Sequence, residues 1–324
     1  MSTPKYLVTG ATGGLGRSVT HHLLSLIPPS SLYITSSSPT PPPSLAPFLS
    51  AGANFRSANF NSLESMRSAF ADINKVFIVS VNSWDSEMRM RMHFNAVQAA
   101  KEAGVEQVWY SSLALGSGSD GKGSGEGDRR VADVMKAHVE TETMLKESGV
   151  TYTAIREGVY GDAFPTFLGW YPTDPNQTIY LPADGNVPMV PREELGEATA
   201  KLMVQGGHEN EIVLLTGPKA HSLAAIVDTI NKTTGRNVLI RHVNLDEYVM
   251  FGTADDEGGK PEAFFRAWST FYSSIAAGDG SVVDPLMEEV LGRKPTDALE
   301  FIAQALKENP NYTWHQNYAN RGAN

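Results

Sequence analysis

Gly10, Gly13 and Gly16 stand three residues apart in the run Tyr6-Leu7-Val8-Thr9-Gly10-Ala11-Thr12-Gly13-Gly14-Leu15-Gly16. An apolar β-type segment enters the run. Leu15, Val19, Leu23, Leu26 and Ile27 then share one helical face until Pro28-Pro29 stops the pattern. Strand, tight glycine turn and helix is the setting in which such glycines bind a dinucleotide. Gly10 suits a sharp exit from the strand, Gly13 lets the backbone approach a pyrophosphate, and Gly16 lets the helix pack close. The helix N-terminus adds unpaired N–H groups and a partial positive charge. The loop, completed by Thr12, Gly14 and Leu15, is the expected phosphate cradle.

Other residues of chemical interest fall at strand ends, where open parallel sheets bind ligands. Gln107-Val108-Trp109-Tyr110-Ser111-Ser112 reads as a strand ending in two hydroxyls, placed to meet a nicotinamide and its substrate. Val79, Ser80 and Val81 close the apolar run that begins at Lys75, and Asn59 and Phe60 follow the short strand at 53–58. Tyr160 follows a strand at 150–156 and is a candidate proton donor. At the end of Leu32-Tyr33-Ile34-Thr35 come Ser36, Ser37 and Ser38, with no carboxylate to hold a ribose 2′-hydroxyl or repel a 2′-phosphate. Arg17 could supply charge there. On this ground NADP(H) is favoured over NAD(H).

The elements that must position these groups alternate throughout the first half. Helices are expected at 62–71 (Leu63, Met66 and Phe70 inward), from an Asp85 cap to Ala103, and from Arg130 to Ser148. Met88, Met90 and Met92 read as core filler and surface, and His93 as structural or exposed. The first 160 residues are therefore a doubly wound parallel α/β sheet of the Rossmann type. Residues 161–324 form a smaller C-terminal α/β substrate region that partly contributes to the same sheet. It has short strands at 179–181 and 211–216 and helices at 193–203 and 222–234. Gly116 to Gly127 reads as a lid over the site. Phe164, Phe167, Trp170 and Tyr171 are expected to line a flat apolar pocket. The stripe Phe264, Trp268, Phe271 and Tyr272 is expected to be core or a homodimer contact rather than pocket wall.

Composition closes off other chemistries. Of 324 residues, 41% are hydrophobic and 19% charged, and the net charge is −10, which gives a nucleic-acid partner no support. There is no cysteine for disulfides or thiolate chemistry. The eight histidines show no metal-ligand spacing, so no metal is expected. No apolar run approaches the ~20 residues that span a bilayer. No signal peptide is read at the N-terminus, and a cytoplasmic setting is expected.

The chain resembles the NmrA-like family of atypical short-chain dehydrogenase/reductases, in particular its NAD(P)H-dependent quinone oxidoreductases of the second type. The resemblance rests on the glycine run, on Asn95-Ala96-Val97-Gln98-Ala99-Ala100-Lys101-Glu102-Ala103-Gly104-Val105, and on Tyr110-Ser111-Ser112. It extends through His138 to Gly149, Tyr152 to Arg156 and Pro191 to Leu195, as far as about Val243. It implies reduction of a quinone or similar conjugated carbonyl compound. Short-chain dehydrogenases generally use a Tyr-x-x-x-Lys pair; here His138 stands at the lysine position and Val134 at the tyrosine position. The quinone-reductase-like relatives also carry histidine there, which implies His138 as general acid or ribose anchor. Ser37 stands where those relatives tend to have arginine. Two rival readings follow from the missing pair: a non-catalytic dinucleotide-binding redox sensor, and a non-redox isomerase or cyclase on the same scaffold.

Overall fold

The computed structural model describes residues 3–83, 85–115, 132–174, 177–255 and 257–314. The first half lays down β1 (Tyr6–Val8), α1 (Gly14–Leu26), β2 (Leu32–Ser36), the short α2 (Ala46–Ser50), β3 (Asn54–Ser57), α3 (Leu63–Phe70), β4 (Lys75–Ile78), α4 (Ser86–Glu102), β5 (Gln107–Leu113), α5 (Lys136–Ser148) and β6 (Tyr152–Glu157). The second half adds α6 (Phe164–Leu168), β7 (Thr178–Leu181), β8 (Asn186–Val187), α7 (Arg192–Gln205), β9 (Glu211–Leu215), β10 (His221–Ser222), α8 (Leu223–Thr234), β11 (Leu239–His242), α9 (Leu245–Asp255), α10 (Glu262–Ala276), α11 (Leu286–Leu291) and α12 (Ala298–Glu308).

Seven parallel strands form the sheet in the order β3-β2-β1-β4-β5-β6-β9. The expected doubly wound parallel sheet is thus the fold. Central strands are apolar in both directions because helices cover both faces. On one side α1 and α7 pack over Val8, Phe77, Trp109 and Ile155; on the other α3 and α4 pack over Leu7, Val76, Val108 and Tyr110. β9, from beyond residue 160, pairs with β6 from Thr153↔Glu211 to Glu157↔Leu215.

The strand order reverses between β1 and β4, which opens a crevice beyond their carboxyl ends. Thr9 staples its two sides. Its N–H and its Oγ1 donate to the Phe77 carbonyl at 3.0 and 3.1 Å, and Oγ1 accepts from Val79 N–H at 2.9 Å. Val79 to Val81, read as the end of a strand, instead lie past Ile78 and form the lip of the crevice. Asp85 caps α4 as expected, accepting from Met88 N–H at 2.9 Å. α5 begins only at Lys136, after a 3₁₀ turn over Asp133–Met135. The segment read as a lid, Gly116 to Gly127, lies outside the described residues.

A second core, built mostly from residues after β6, joins α6, α8, α9, α10 and α12. Asp133 N–H donates to Thr270 Oγ1 at 2.9 Å, which ties the turn before α5 to α10 and carries part of α10 to the mouth of the crevice. Among the described residues no helix is long and apolar enough to cross a membrane.

Candidate active site

At the start of the crevice Gly10 has φ +60°, a left-handed turn that disfavours any side chain. A Cβ on Gly16 would run into the Gly10 carbonyl, so only glycine lets α1 sit this close to β1. No side chain occupies the N-cap of α1, Gly13, and α1 has no acidic residue in its first turn. The helix therefore points unpaired N–H groups at the crevice, which suits an anionic group.

α7 completes this end. It packs along α1 because Gly196 brings it against Ser18, whose hydroxyl donates to the Glu193 carbonyl at 3.1 Å. The first residue of α7, Arg192, is thereby delivered to the glycine loop. Its guanidinium lies in the space that a Cβ on Gly14 would need. The Trp314 ring holds it from the other side, 4.5 Å from the guanidinium carbon to the ring centre. Asp162 accepts from the Arg192 backbone N–H at 2.8 Å, and its carboxylate is 3.8 Å from Nη2. The sequence reading assigned Arg192 and Trp314 no role: neither lies near the glycines in the chain.

A cavity of about 940 Å³ runs from Gly13, Gly14 and Leu15 past Val79, Ser80 and Val81 to Phe167, Trp268 and Phe271. Ser111, Ser112, His138 and Tyr160 also line it. Gly10 and Gly16 shape its floor without lining it. Thr12 is exposed beside it. Arg17, Ser36, Ser37, Asn59 and Phe60 lie off it. Arg17 donates to the Ser44 carbonyl at 3.1 Å and rests over Phe48 at 5.3 Å. Ser36 accepts from Ser38 N–H at 3.2 Å, and Asn59 accepts from Asn61 N–H at 3.0 Å.

His138 is in the cavity wall, but not as a free imidazole. Arg89 Nη2 donates to its Nε2 at 2.9 Å, and arginine can only donate. The ring proton is therefore on Nδ1, directed at Tyr110 Oη at 3.0 Å. Burial, and then the Arg89 cation, hold the ring well below its ordinary value. His138 is thus neutral with both nitrogens engaged, an arrangement that favours a positioning role over that of a general acid. His93 is wholly buried and likewise neutral, pushed down to about 3 by burial and by Arg89. Its Nε2 accepts from Val81 N–H at 3.0 Å and Nδ1 pairs with Thr141 Oγ1 at 2.7 Å, so it fixes the lip of the crevice.

Arg89 is the group the sequence did not disclose. It is 5% exposed and lines the cavity. Nη2 also donates to Ser80 Oγ at 2.9 Å and Nη1 to the Val134 carbonyl at 3.2 Å, while Nε is buried without a partner. Among the described residues no carboxylate pairs with it. A cation in the first turns of a helix works against the helix dipole. That conflict, at Arg89 just inside α4, is the signal that could have marked it.

The two serines of β5 differ. Ser111 Oγ accepts from Ser80 N–H at 2.9 Å and keeps its own proton for the cavity. Ser112 gives its proton to Glu142 at 2.6 Å, and that carboxylate is clamped by Arg156 Nε and Nη2 at 3.0 and 2.8 Å. Ser112 can therefore accept a hydrogen bond from a ligand but not donate one. Tyr160 Oη lies 2.7 Å from Glu157 Oε2.

The aromatic assignments are partly exchanged, with Phe264 and Tyr272 in the core as expected. Phe164, Trp170 and Tyr171 are buried; Phe164 stacks on Trp170 and Tyr312 at 5.9 and 5.5 Å. Of the first cluster only Phe167 reaches the cavity. Trp268 and Phe271, read as core or subunit contact, stand beside it at 5.3 and 5.0 Å and form the apolar wall. Among the described residues no group of three or more His, Asp or Glu side chains could hold a metal ion.

The NmrA-like family model matches residues 2–256. An NmrA-like family domain-containing oxidoreductase of Aspergillus flavus is 42% identical over 319 residues, which are 98% of this chain and 100% of that protein. Quinone oxidoreductase 2 of Escherichia coli is 26% identical over 306 residues, covering 93% of this chain and 99% of that one. Among solved structures, a Citrobacter triphenylmethane reductase complexed with NADP(H) matches with a TM-score of 0.78 at 25% identity, over 93% of this chain and 100% of that chain.

Proposed function

We propose that this chain, which belongs to the NmrA-like family and is an NAD(P)H-dependent oxidoreductase, reduces a quinone or a similar flat conjugated carbonyl compound. The observation that carries this reading is the single cavity joining the glycine loop to the Phe167, Trp268 and Phe271 wall, with Arg89, Ser80, Ser111 and Tyr160 between them. One end suits a pyrophosphate and the other a planar apolar ring. In this reading residues 1–160 form most of the nucleotide site, and the later part of the chain adds Arg192 to it and closes the substrate side with Phe167, Trp268 and Phe271.

Fit for a dinucleotide rests on the empty N-terminus of α1, the close approach that Gly16 permits, and the Arg192 cation set on Gly14. Gly13, Gly14, Leu15 and Arg192 would hold the phosphates. We favour NADP(H) over NAD(H) because no carboxylate ends β2 to repel a 2′-phosphate, and Arg17 is exposed one turn into α1. A bound reduced nicotinamide would supply the hydride.

The protein's share is orientation and charge. Ser111 and Ser80 have hydroxyl protons to give to a carboxamide or a substrate oxygen; Ser112 can only accept. Hydride arriving at a quinone leaves negative charge on its oxygen. Arg89, a buried cation without a carboxylate partner, stabilises that charge from a fixed position. His138 holds the Arg89 fork rather than moving a proton itself. Tyr160 is the proton donor. The reading does without the usual Tyr-x-x-x-Lys pair because Arg89 provides the cation and Tyr160 the phenol from elsewhere in the fold.

The test is binding followed by turnover. Titration with NADPH and NADH, read by nicotinamide fluorescence, ranks the two nucleotides. Steady-state oxidation of the bound nucleotide is then followed over a panel of benzoquinones and naphthoquinones. Quinone-dependent oxidation is expected. Binding without oxidation by any quinone would move the assignment to a redox sensor, and substrate turnover without net oxidation would move it to an isomerase.

A further inference from the structure

Glu157 ends β6 and is 1% exposed. Its cross-strand partners are apolar, Leu113 on β5 and Leu215 on β9. Among the described residues it forms no ion pair, and Oε1 is buried without a hydrogen-bond partner. Among the described residues its one side-chain hydrogen-bond partner is the cavity-lining Tyr160, whose Oη lies 2.7 Å from Oε2. An ionised carboxylate with one oxygen wholly unsolvated is costly; a neutral carboxyl group is not. The surroundings of Glu157 are those of a stored proton.

We propose that Glu157 is a proton reservoir which refills Tyr160 as Tyr160 protonates the reduced substrate. This rests on the reductase reading above. The heavy-atom distance of 2.7 Å serves either direction of the bond: the phenol can donate to Oε2, or the carboxyl can donate to Oη and leave the phenol proton facing the cavity. In the step, the Tyr160 O–H bond breaks and an O–H bond forms on the substrate oxyanion left by hydride arrival. The Glu157 O–H bond breaks and the Tyr160 O–H bond re-forms. Glu157 ends as a carboxylate and regains its proton from water between turnovers. No oxidant or reductant beyond the hydride donor is consumed.

The relay answers a difficulty of Tyr160 acting alone. Burial, and then the Glu157 carboxyl beside it, raise the phenol well above its usual range, with Asp162 adding to the rise and Arg192 opposing it. A bare phenolate in that place is strongly disfavoured, so the phenol gives its proton only if it is replaced in the same movement. Burial pushes the Glu157 carboxyl up to about 8, which leaves it protonated at neutral pH.

The experiment compares the full-length protein with Glu157→Gln, which keeps the shape and the bond to Tyr160 but carries no titratable proton. Infrared difference spectra of the protein without nucleotide are recorded across pH, and the pH profile of kcat with a quinone is measured in parallel. The expected result is a protonated-carboxyl band at neutral pH, lost with a midpoint near 8 and absent from Glu157→Gln. The kcat of the wild type falls above that midpoint. The variant binds NADPH equally well, and its kcat is lower by about 10²-fold and flat there. Absence at neutral pH of a protonated-carboxyl band that Glu157→Gln removes, or a variant profile that still falls near 8, overturns the relay and leaves the reductase standing. A wild type that oxidises NADPH with no quinone overturns the reductase reading, and the relay with it.

Discussion

Arg89 Nη2 donates to His138 Nε2 across 2.9 Å, and this one bond decides what the histidine can do. It fixes the tautomer and sets a cation beside a ring that burial already holds neutral. In the proposed reduction, the catalytic work at this position passes to the arginine. Arg89→Met is expected to lower kcat with quinones by about 10²-fold, the usual size for losing one fixed stabiliser of an oxyanion. NADPH affinity should change little. Steady-state kinetics with a separate fluorescence titration will distinguish this from a variant that loses cofactor and kcat together, which would make Arg89 a cofactor ligand instead.

His138→Gln follows from the same bond. A neutral histidine has no titration near 6.5 to contribute, so the pH profile of kcat should keep its shape between about 5.5 and 7.5 while the rate falls through loosened Arg89. Loss of a titration step near 6.5 on this substitution would restore His138 as an acid.

Arg192 and Gly14 give a paired prediction. Arg192→Ala should weaken NADPH binding about tenfold or more, the scale of a lost charge-assisted contact to phosphate, and should reduce the salt dependence of binding. Gly14→Ala should reproduce much of that loss with little cost in stability, since the side chain in its way is a flexible end. Gly16→Ala meets backbone instead and should destabilise the fold by roughly 2 kcal/mol or more. Chemical denaturation and nucleotide titration on the three variants separate the effects. Equal stability of all three would contradict the packing described for Gly16.

Stability against pH follows from three buried groups. His93 and His138 are neutral in the fold and titrate near 6.5 when unfolded, so their contribution is present above 6.5 and lost as pH falls below it. Glu157 has the opposite sign. Its folded value of about 8 lies above its ordinary 4.5, so its contribution is present at low pH and lost as pH rises through that window. Unfolding free energies measured from about pH 5 to 8 should show Glu157→Gln gaining on the wild type by about 1.4 kcal/mol per pH unit. Parallel curves for the two proteins would mean that Glu157 is ionised in the fold.

Much of the fold was legible because its signals are local. The glycine run, the Asp85 cap, the apolar β4 and β5 and the stop at Gly149 each lie within a few residues of what they determine. The site was legible mainly at the glycine turn and the strand ends, at Gly13 to Leu15, Val79 to Val81, Ser111, Ser112 and Tyr160, and at His138 through the resemblance. Arg89 and His138 come from different helices, and Arg192 and Trp314 are separated by more than the length of a helix. No spacing rule connects them. The two aromatic groups show the limit of periodicity: both are apolar stripes, and only the bond from Asp133 to Thr270 shows that α10, with Trp268 and Phe271, is the one turned to the cavity.

Hydride transfer to a flat conjugated acceptor inside this cavity can be followed in a single anaerobic turnover. Protein loaded with NADPH is mixed with a naphthoquinone, and nicotinamide absorbance and hydroquinone formation are followed together. Both are expected to change in step and in equal amounts, and Trp268→Ala is expected to slow the reaction through weaker quinone binding while NADPH affinity holds. Nucleotide that stays bound and reduced while quinone is in excess would contradict that transfer.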